Sequence, residues 1–143
     1  MRTKTCLGVA ILFCGVAFAD DWADRGKLMG AWKIEPGSQG AAEWSFAVAK
    51  ADSLKVTQTE GGNKVAEFVC NTEGTPCEVK ISGKKVNVSL WYNGPKLVVL
   101  EQHGSDSVER RFRAPSDDQM EVEVVRVGTG GKETLKFKRE AAK

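Results

Sequence analysis

The sequence predicts an all-β protein, an antiparallel up-and-down β-barrel of about 8–10 strands with a short N-terminal helical turn. Three observations lead there. Apolar and polar residues alternate over short runs, as where Val86, Val88, Leu90 and Tyr92 interleave with Asn87, Ser89 and Trp91. Turn-forming residues such as Gly61-Gly62, Ser82-Gly83, Asn93-Gly94 and Gly128-Thr129-Gly130 recur between these runs. No stretch of helical period is long enough for the crossovers that parallel strands need, so successive strands must form a meander. A meander of this many strands curls and closes, which removes its edges and favours a barrel over a sandwich.

The elements follow in order. Asp20 to Gly26 reads as one helical turn, capped by Asp20 or Asp21 and ended by Gly26. Leu28 to Glu35 is the first strand, stopped by Pro36-Gly37-Ser38. Glu43 to Lys50 carries Trp44, Phe46 and Val48 on one face, and Ser53 to Thr59 carries Leu54 and Val56. Lys64 to Cys70 and Cys77 to Ile81 are expected to form a hairpin tied at its loop by the two cysteines. Val86 to Tyr92 turns at Asn93-Gly94, the strongest hairpin signal in the chain, and returns along Lys96 to Gln102. Val108, Arg110, Phe112 and Ala114 share a face, as do Met120, Val122 and Val124 on the next strand. A slip of phase at Val124-Val125 suggests a bulge, and Leu135 and Phe137 lead a last strand that ends at Arg139.

The chain ahead of these elements has the layout of a secretory signal peptide. Arg2 and Lys4 precede an apolar run from Leu7 to Phe18, and Ala17-Phe18-Ala19 offers small residues at the cleavage positions. The division expected is residues 1–19 as signal and 20–143 as a single barrel domain, in a secreted or periplasmic protein. The apolar run is shorter than the ~20 residues a bilayer span needs. With the signal removed, nineteen cations balance nineteen acids, so the net charge of +2 belongs to the leader. The remaining cations are dispersed among acids, which speaks against a nucleic-acid partner. Of the four cysteines only Cys70 and Cys77 remain, and in an oxidising compartment two leftover cysteines are expected to pair. Closing that short loop contributes roughly 2.5 kcal/mol in the chain-entropy account.

Gly30-Ala31-Trp32, opening a strand just after a helical turn, resembles the G-x-W strand of the lipocalins and the wider calycin group. Gly30 to Ile34 is also similar to small secreted bacterial lipocalin-like proteins of unassigned activity. The resemblance implies that Trp32 closes one end of the barrel and that Arg139 packs over it. The group's second motif, a T-D-Y phrase, is absent, and residues 105–112 read Ser-Asp-Ser-Val-Glu-Arg-Arg-Phe.

No catalytic constellation emerges. His103, the only histidine, shares a turn with Ser105 and Asp106, whereas a triad needs its base held between partners from separate elements. Asp117-Asp118 lies in a turn, and Glu121 with Glu123 reads as a solvent face. Nothing marks a metal or cofactor site, and the expectation is a protein that is not an enzyme. The arginines are more informative. Alternation turns Arg110 inward and, unless the bulge intervenes, Arg126 as well, and an inward arginine needs an anion. Two readings follow. In the first, the barrel carries a small apolar or amphipathic anionic ligand, with Arg110 and Arg126 steering its head and Trp44, Phe46, Phe68 and Phe112 lining the wall, as inward arginines do in fatty-acid-binding proteins. In the second, the barrel is filled, the arginines pair with acids such as Glu67 or Glu101, and the outer face or the loop from Asn71 to Pro76 binds a protein partner, for example as an inhibitor. Trp91, on the outer face by alternation, packs under the N-terminal turn near Trp22 or anchors such a partner.

Overall fold

The computed structural model describes residues 18–36 and 42–141. Residues 1–17 of the expected leader and the Gly37-Ser38 part of the first turn lie outside these. A helix, α1 (Phe18–Lys27), precedes β1 (Gly30–Ile34), β2 (Ala42–Lys50), β3 (Ser53–Glu60), β4 (Asn63–Asn71), β5 (Cys77–Ile81), β6 (Lys84–Asn93), β7 (Lys96–His103), β8 (Asp106–Arg113), β9 (Gln119–Val127) and β10 (Lys132–Arg139). All ten strands form one antiparallel sheet in the order β4-β3-β2-β1-β10-β9-β8-β7-β6-β5. β1 pairs with β10, Trp32 opposite Arg139 and Ile34 opposite Phe137, and this pairing bends the meander into a nearly closed barrel, the class its alternation and turns predict.

Two local expectations are corrected. β4 and β5 do not form a hairpin: they are the two ends of the sheet order, and a seam runs between them. Residues Asn71 to Pro76 instead fold back on β6, with the Gly74 amide donating to the Leu90 carbonyl at 2.8 Å and Glu73 bridging Trp91. β9 carries no bulge at Val124-Val125, since its register runs unbroken against both β8 and β10; Val125 is simply an outward valine opposite Glu109. The irregularities fall at Val48/Lys50 and Gln58/Thr59. At Asn93-Gly94 the loop shifts by one residue, because Asn93 still pairs with Lys96, and Gly94 takes the positive φ of 59° in the first loop position.

α1 is ten residues rather than a single turn, and it lies at the end of the barrel where β1 begins, with none of its residues from Asp21 to Lys27 fully buried. Its last turn tightens, with Leu28 N donating to Arg25 O and Met29 N to Gly26 O, each at 3.2 Å. The carbonyls beyond that turn find side-chain donors. Trp32 Nε1 donates to Leu28 O at 2.9 Å, and Arg139 donates to Met29 O at 2.7 Å and Lys27 O at 2.5 Å. The Arg139 guanidinium lies 4.2 Å from the centre of the Trp32 ring, and its Nε reaches Asp117 O at 2.6 Å. Gly30 is required twice over: its φ is +115°, and a Cβ there would sit 2.5 Å from Arg139 Nη1.

The middle of the barrel is filled. Trp32, Val56, Val88, Leu90, Leu97, Val99, Phe112, Met120 and Phe137 are all 0% exposed. A void large enough for water would leave accessible surface on its walls, so no such void borders these side chains. Trp32→Ala should therefore destabilise the fold by about 3–5 kcal/mol, as for other buried large-to-small changes. Urea melts would check this, and a loss below about 1 kcal/mol would mean that Trp32 does not hold the barrel end shut.

Candidate functional site

With the midsection closed, space remains at the two ends. The end away from α1 holds a cavity of about 350 Å³ whose lining includes Gln58, Glu101, His103, Val108, Arg110 and Arg126. β8 places Val108, Arg110 and Phe112 on its inner face, and β9 places Val124 opposite Arg110 and Arg126 opposite Val108. Both arginines thus belong to one cavity. Arg110 is engaged: its Nη1 donates to Glu101 Oε1, and its guanidinium carbon lies 5.4 Å from the Trp44 ring centre. Glu101, inward on β7 and buried, also meets His103 Nε2 at 3.1 Å through its other oxygen. Arg126 sits exposed at the rim, and no carboxylate among the described residues lies within ion-pair distance of it.

Beneath the arginine layer the aromatics pack on each other. Trp44 and Phe46 stack at 6.2 Å, and Phe112 meets both edge-on at 5.0 Å. Phe68 is buried in the same core. Trp44, Phe46, Phe68 and Phe112, expected to line a ligand wall, do not line this cavity; they are buried in the core, and only Trp44 meets the arginine layer, through Arg110. Of the acids considered as partners for the arginines, Glu101 is the one that points inward. Glu67 faces outward, where Lys64 and Lys55 hold its carboxyl down at about 2. The signal for Glu101 lies in its strand, since Leu97, Val99 and Glu101 share one alternation phase with the core.

Cys70 and Cys77 do not form the expected bridge; both are free thiols. They face each other across the seam at the α1 end, Cys70 buried and Cys77 partly exposed. Burial, with the neighbouring Cys77 sulfur adding to it, pushes the Cys70 thiol up to about 12. At the same end α1 contributes Trp22 and Arg25 to a second cleft that includes Trp91 and Tyr92. Arg25 stacks 4.6 Å from the Tyr92 ring centre and 5.0 Å from that of Trp22, and its Nε donates to Gly94 O at 2.8 Å. Burial raises the Tyr92 phenol, against a smaller opposing pull from Arg25. Of the two alternatives the sequence left for Trp91, its approach to the N-terminal turn near Trp22 is the one this cleft shows; the partners of Arg25, on β6 and in its turn, had no sequence signal.

The described residues form a ten-stranded antiparallel barrel with one open seam, a fold that solved structures share. Among solved structures, it is similar to a fatty-acid-binding protein 1 from Echinococcus granulosus, with TM-score 0.68 and 8% identity over 81% of this chain and 99% of that one. It is similar as well to secretory abundant heat soluble protein 4 from Ramazzottius varieornatus, with TM-score 0.67 and 13% identity over 80% and 96%. A third is the Schistosoma mansoni fatty acid binding protein in complex with arachidonic acid, with TM-score 0.64 and 14% identity over 82% and 99%. No protein-family model and no curated protein sequence matches the chain.

The thiol pair makes a direct prediction. A group whose pKa is higher in the folded than in the unfolded chain contributes stability that is intact below the unfolded value and is lost as pH rises through the folded one. Cys70 moves from an ordinary value of 9.0 to about 12, so its contribution should fade between those pH values. In native protein under reductant at pH 8, iodoacetamide should modify Cys77 first and leave Cys70 untouched until denaturant is added. Equal labelling of the two would show that Cys70 is not buried.

Proposed function

We propose that this protein is a secreted or periplasmic, non-catalytic binding protein that takes a small amphipathic anion at the barrel end opposite α1. The observation that carries the reading is Arg126, a cation on the cavity rim with no carboxylate within ion-pair distance among the described residues, beside an Arg110 already paired with Glu101; Glu60 and Asp106 also line the cavity, so the anion is seated on the Arg126 side. An incoming carboxylate can accept from Arg126 while its short apolar part lies against Val108, Val65 and Ile81 of the same cavity. The structural neighbours include fatty-acid-binding proteins, which supports ligand binding as the use of such a barrel. The filled midsection sets a limit that a long-chain carrier would not have, so the ligand is short. The leader supports export: the intact mass of protein taken from its host should correspond to a chain beginning at Asp20, and a mass retaining Met1 to Ala19 would remove the secretory part of the proposal.

The competing reading, a filled barrel that binds a protein, is favoured by the closed core but weakened by the Asn71 to Pro76 loop. That loop lies bonded against the β2–β3 turn at Asp52 and against β6 rather than projecting. Calorimetric titration with hexanoate and with oleate separates the two. Hexanoate should bind and oleate should gain nothing from its longer chain. Arg126→Gln should cut hexanoate affinity about tenfold, the weight of one charge-assisted hydrogen bond. Oleate binding far tighter than hexanoate would mean that the core opens to admit a chain, and an unchanged Arg126→Gln would move the ligand elsewhere.

A further inference from the structure

We infer that the α1 end of the barrel carries a second, separate site, for a small organic cation with a flat apolar body. The cleft there measures about 530 Å³, within the ~300–1,000 Å³ range of small-molecule pockets. One wall is α1 with Trp22, continued past its end by Met29; the facing wall is the β2–β3 hairpin, with Val48 on β2 and Leu54 on β3; β6 supplies Trp91 and Tyr92. Trp22 and Val48 are 73% and 65% exposed, so the apolar lining is open to an incoming ligand.

The charge of the cleft decides the ligand's sign. Its one cation, Arg25, is already held by two aromatic rings and the Gly94 carbonyl. Its two carboxylates, Asp52 and Glu73, have no lysine, arginine or histidine within 4.0 Å among the described residues. The backbone fixes where these acids stand. The Thr72 amide donates to Asp52 O at 2.8 Å, which brings the two acid-bearing segments side by side. The Glu73 amide donates to Asn71 Oδ1 at 3.0 Å, and Glu73 bridges Trp91. A cation entering here meets two carboxylates and the indole of Trp91, which Arg25 does not cover, while its apolar body covers Met29 and Leu54. An anion would meet net repulsion and a guanidinium already stacked and bonded.

The probes are 4-phenylbutylammonium and its anionic counterpart 5-phenylpentanoate, followed by amide and indole N–H shifts in NMR. The cation at millimolar concentration should shift the indole signals of Trp91 and Trp22 and the amide of Glu73, leaving Arg126 and His103 unmoved; the anion should leave all of these α1-end signals in place. The exposed double variant Asp52→Asn/Glu73→Gln should keep the melting temperature and bind the cation about fivefold more weakly, the weight of two exposed ion pairs. Added salt should weaken binding in the parent and much less in the variant. Absence of shifts with the cation, equal binding of the anion at the same residues, or undiminished affinity in the double variant would each overturn the inference.

Discussion

Closure of this barrel depends on one guanidinium. β1 is only five residues long, and a strand so short offers few ladder bonds to join the two halves of the meander. Arg139, at the end of β10 and opposite Trp32, supplies what the ladder lacks. It covers the indole, donates to the Lys27 and Met29 carbonyls at the end of α1, and reaches Asp117 O in the turn before β9. The planar fork matters. A lysine ammonium cannot stack flat on a ring while sending separate donors to three carbonyls in fixed directions. Positive charge at the C-terminus of α1 also opposes the helix dipole favourably. The left-handed backbone at Gly30 leaves room for this fork, so closing the barrel, plugging its end and seating α1 become a single event.

The filled midsection follows from what that plug presents to the interior. Trp32 enters from one end and the Trp44-Phe46-Phe112 cluster from the other side, and valines and leucines complete the space between. A polar layer then terminates the core. Burying Glu101 costs several kcal/mol in desolvation unless it is paired and bonded. Arg110 and His103 meet its two oxygens, and the Trp44 face takes up the guanidinium. The layer pairs its own charges, and Arg126, one step nearer the rim, stays outside that pairing. The same packing divides the molecule: the polar cavity at one end and the aromatic cleft at the other share no lining residue.

Much of this was legible in the chain. Period-two alternation yields the strand content, the inward faces and the inward direction of Arg110, because the sheet pleat enforces it wherever one face is buried. Glu101 was equally readable, lying in phase with Leu97 and Val99. The failures share a cause. The proximity of Cys70 and Cys77 in sequence invited a hairpin, but sequence adjacency says nothing of whether two strands are ladder partners or face each other across a seam. Val124-Val125 looked like a phase slip because two adjacent valines were assumed to need the same interior. The outer face between β6 and β9 accepts apolar residues: Val98 is nearly fully buried there, flanked in register by Trp91 and Arg111. Of the α1-end cleft, only the approach of Trp91 to the N-terminal turn near Trp22 was readable, as one of two alternatives; the other walls come from separate elements with no motif of their own.

The seam explains why this sheet tolerates two edges. An open sheet exposes two rows of unpaired backbone groups, each a template for another chain. Here the edges β4 and β5 confront each other, so each shields its neighbour. The seam is fastened near both ends rather than along its length, by the Ser82 amide donating to Val65 O at 2.8 Å and by the Cys70-Cys77 contact. Lys64, Glu67 and Lys55 place a charged network on the outer face beside the β4 edge, which discourages strand addition. Elsewhere around the wall neighbouring strands are joined by antiparallel ladders, interrupted at Val48/Lys50 and Gln58/Thr59. Parting β4 from β5 breaks fewer hydrogen bonds than parting any other neighbours, so the lowest-energy opening of this barrel lies along the line marked by its two thiols.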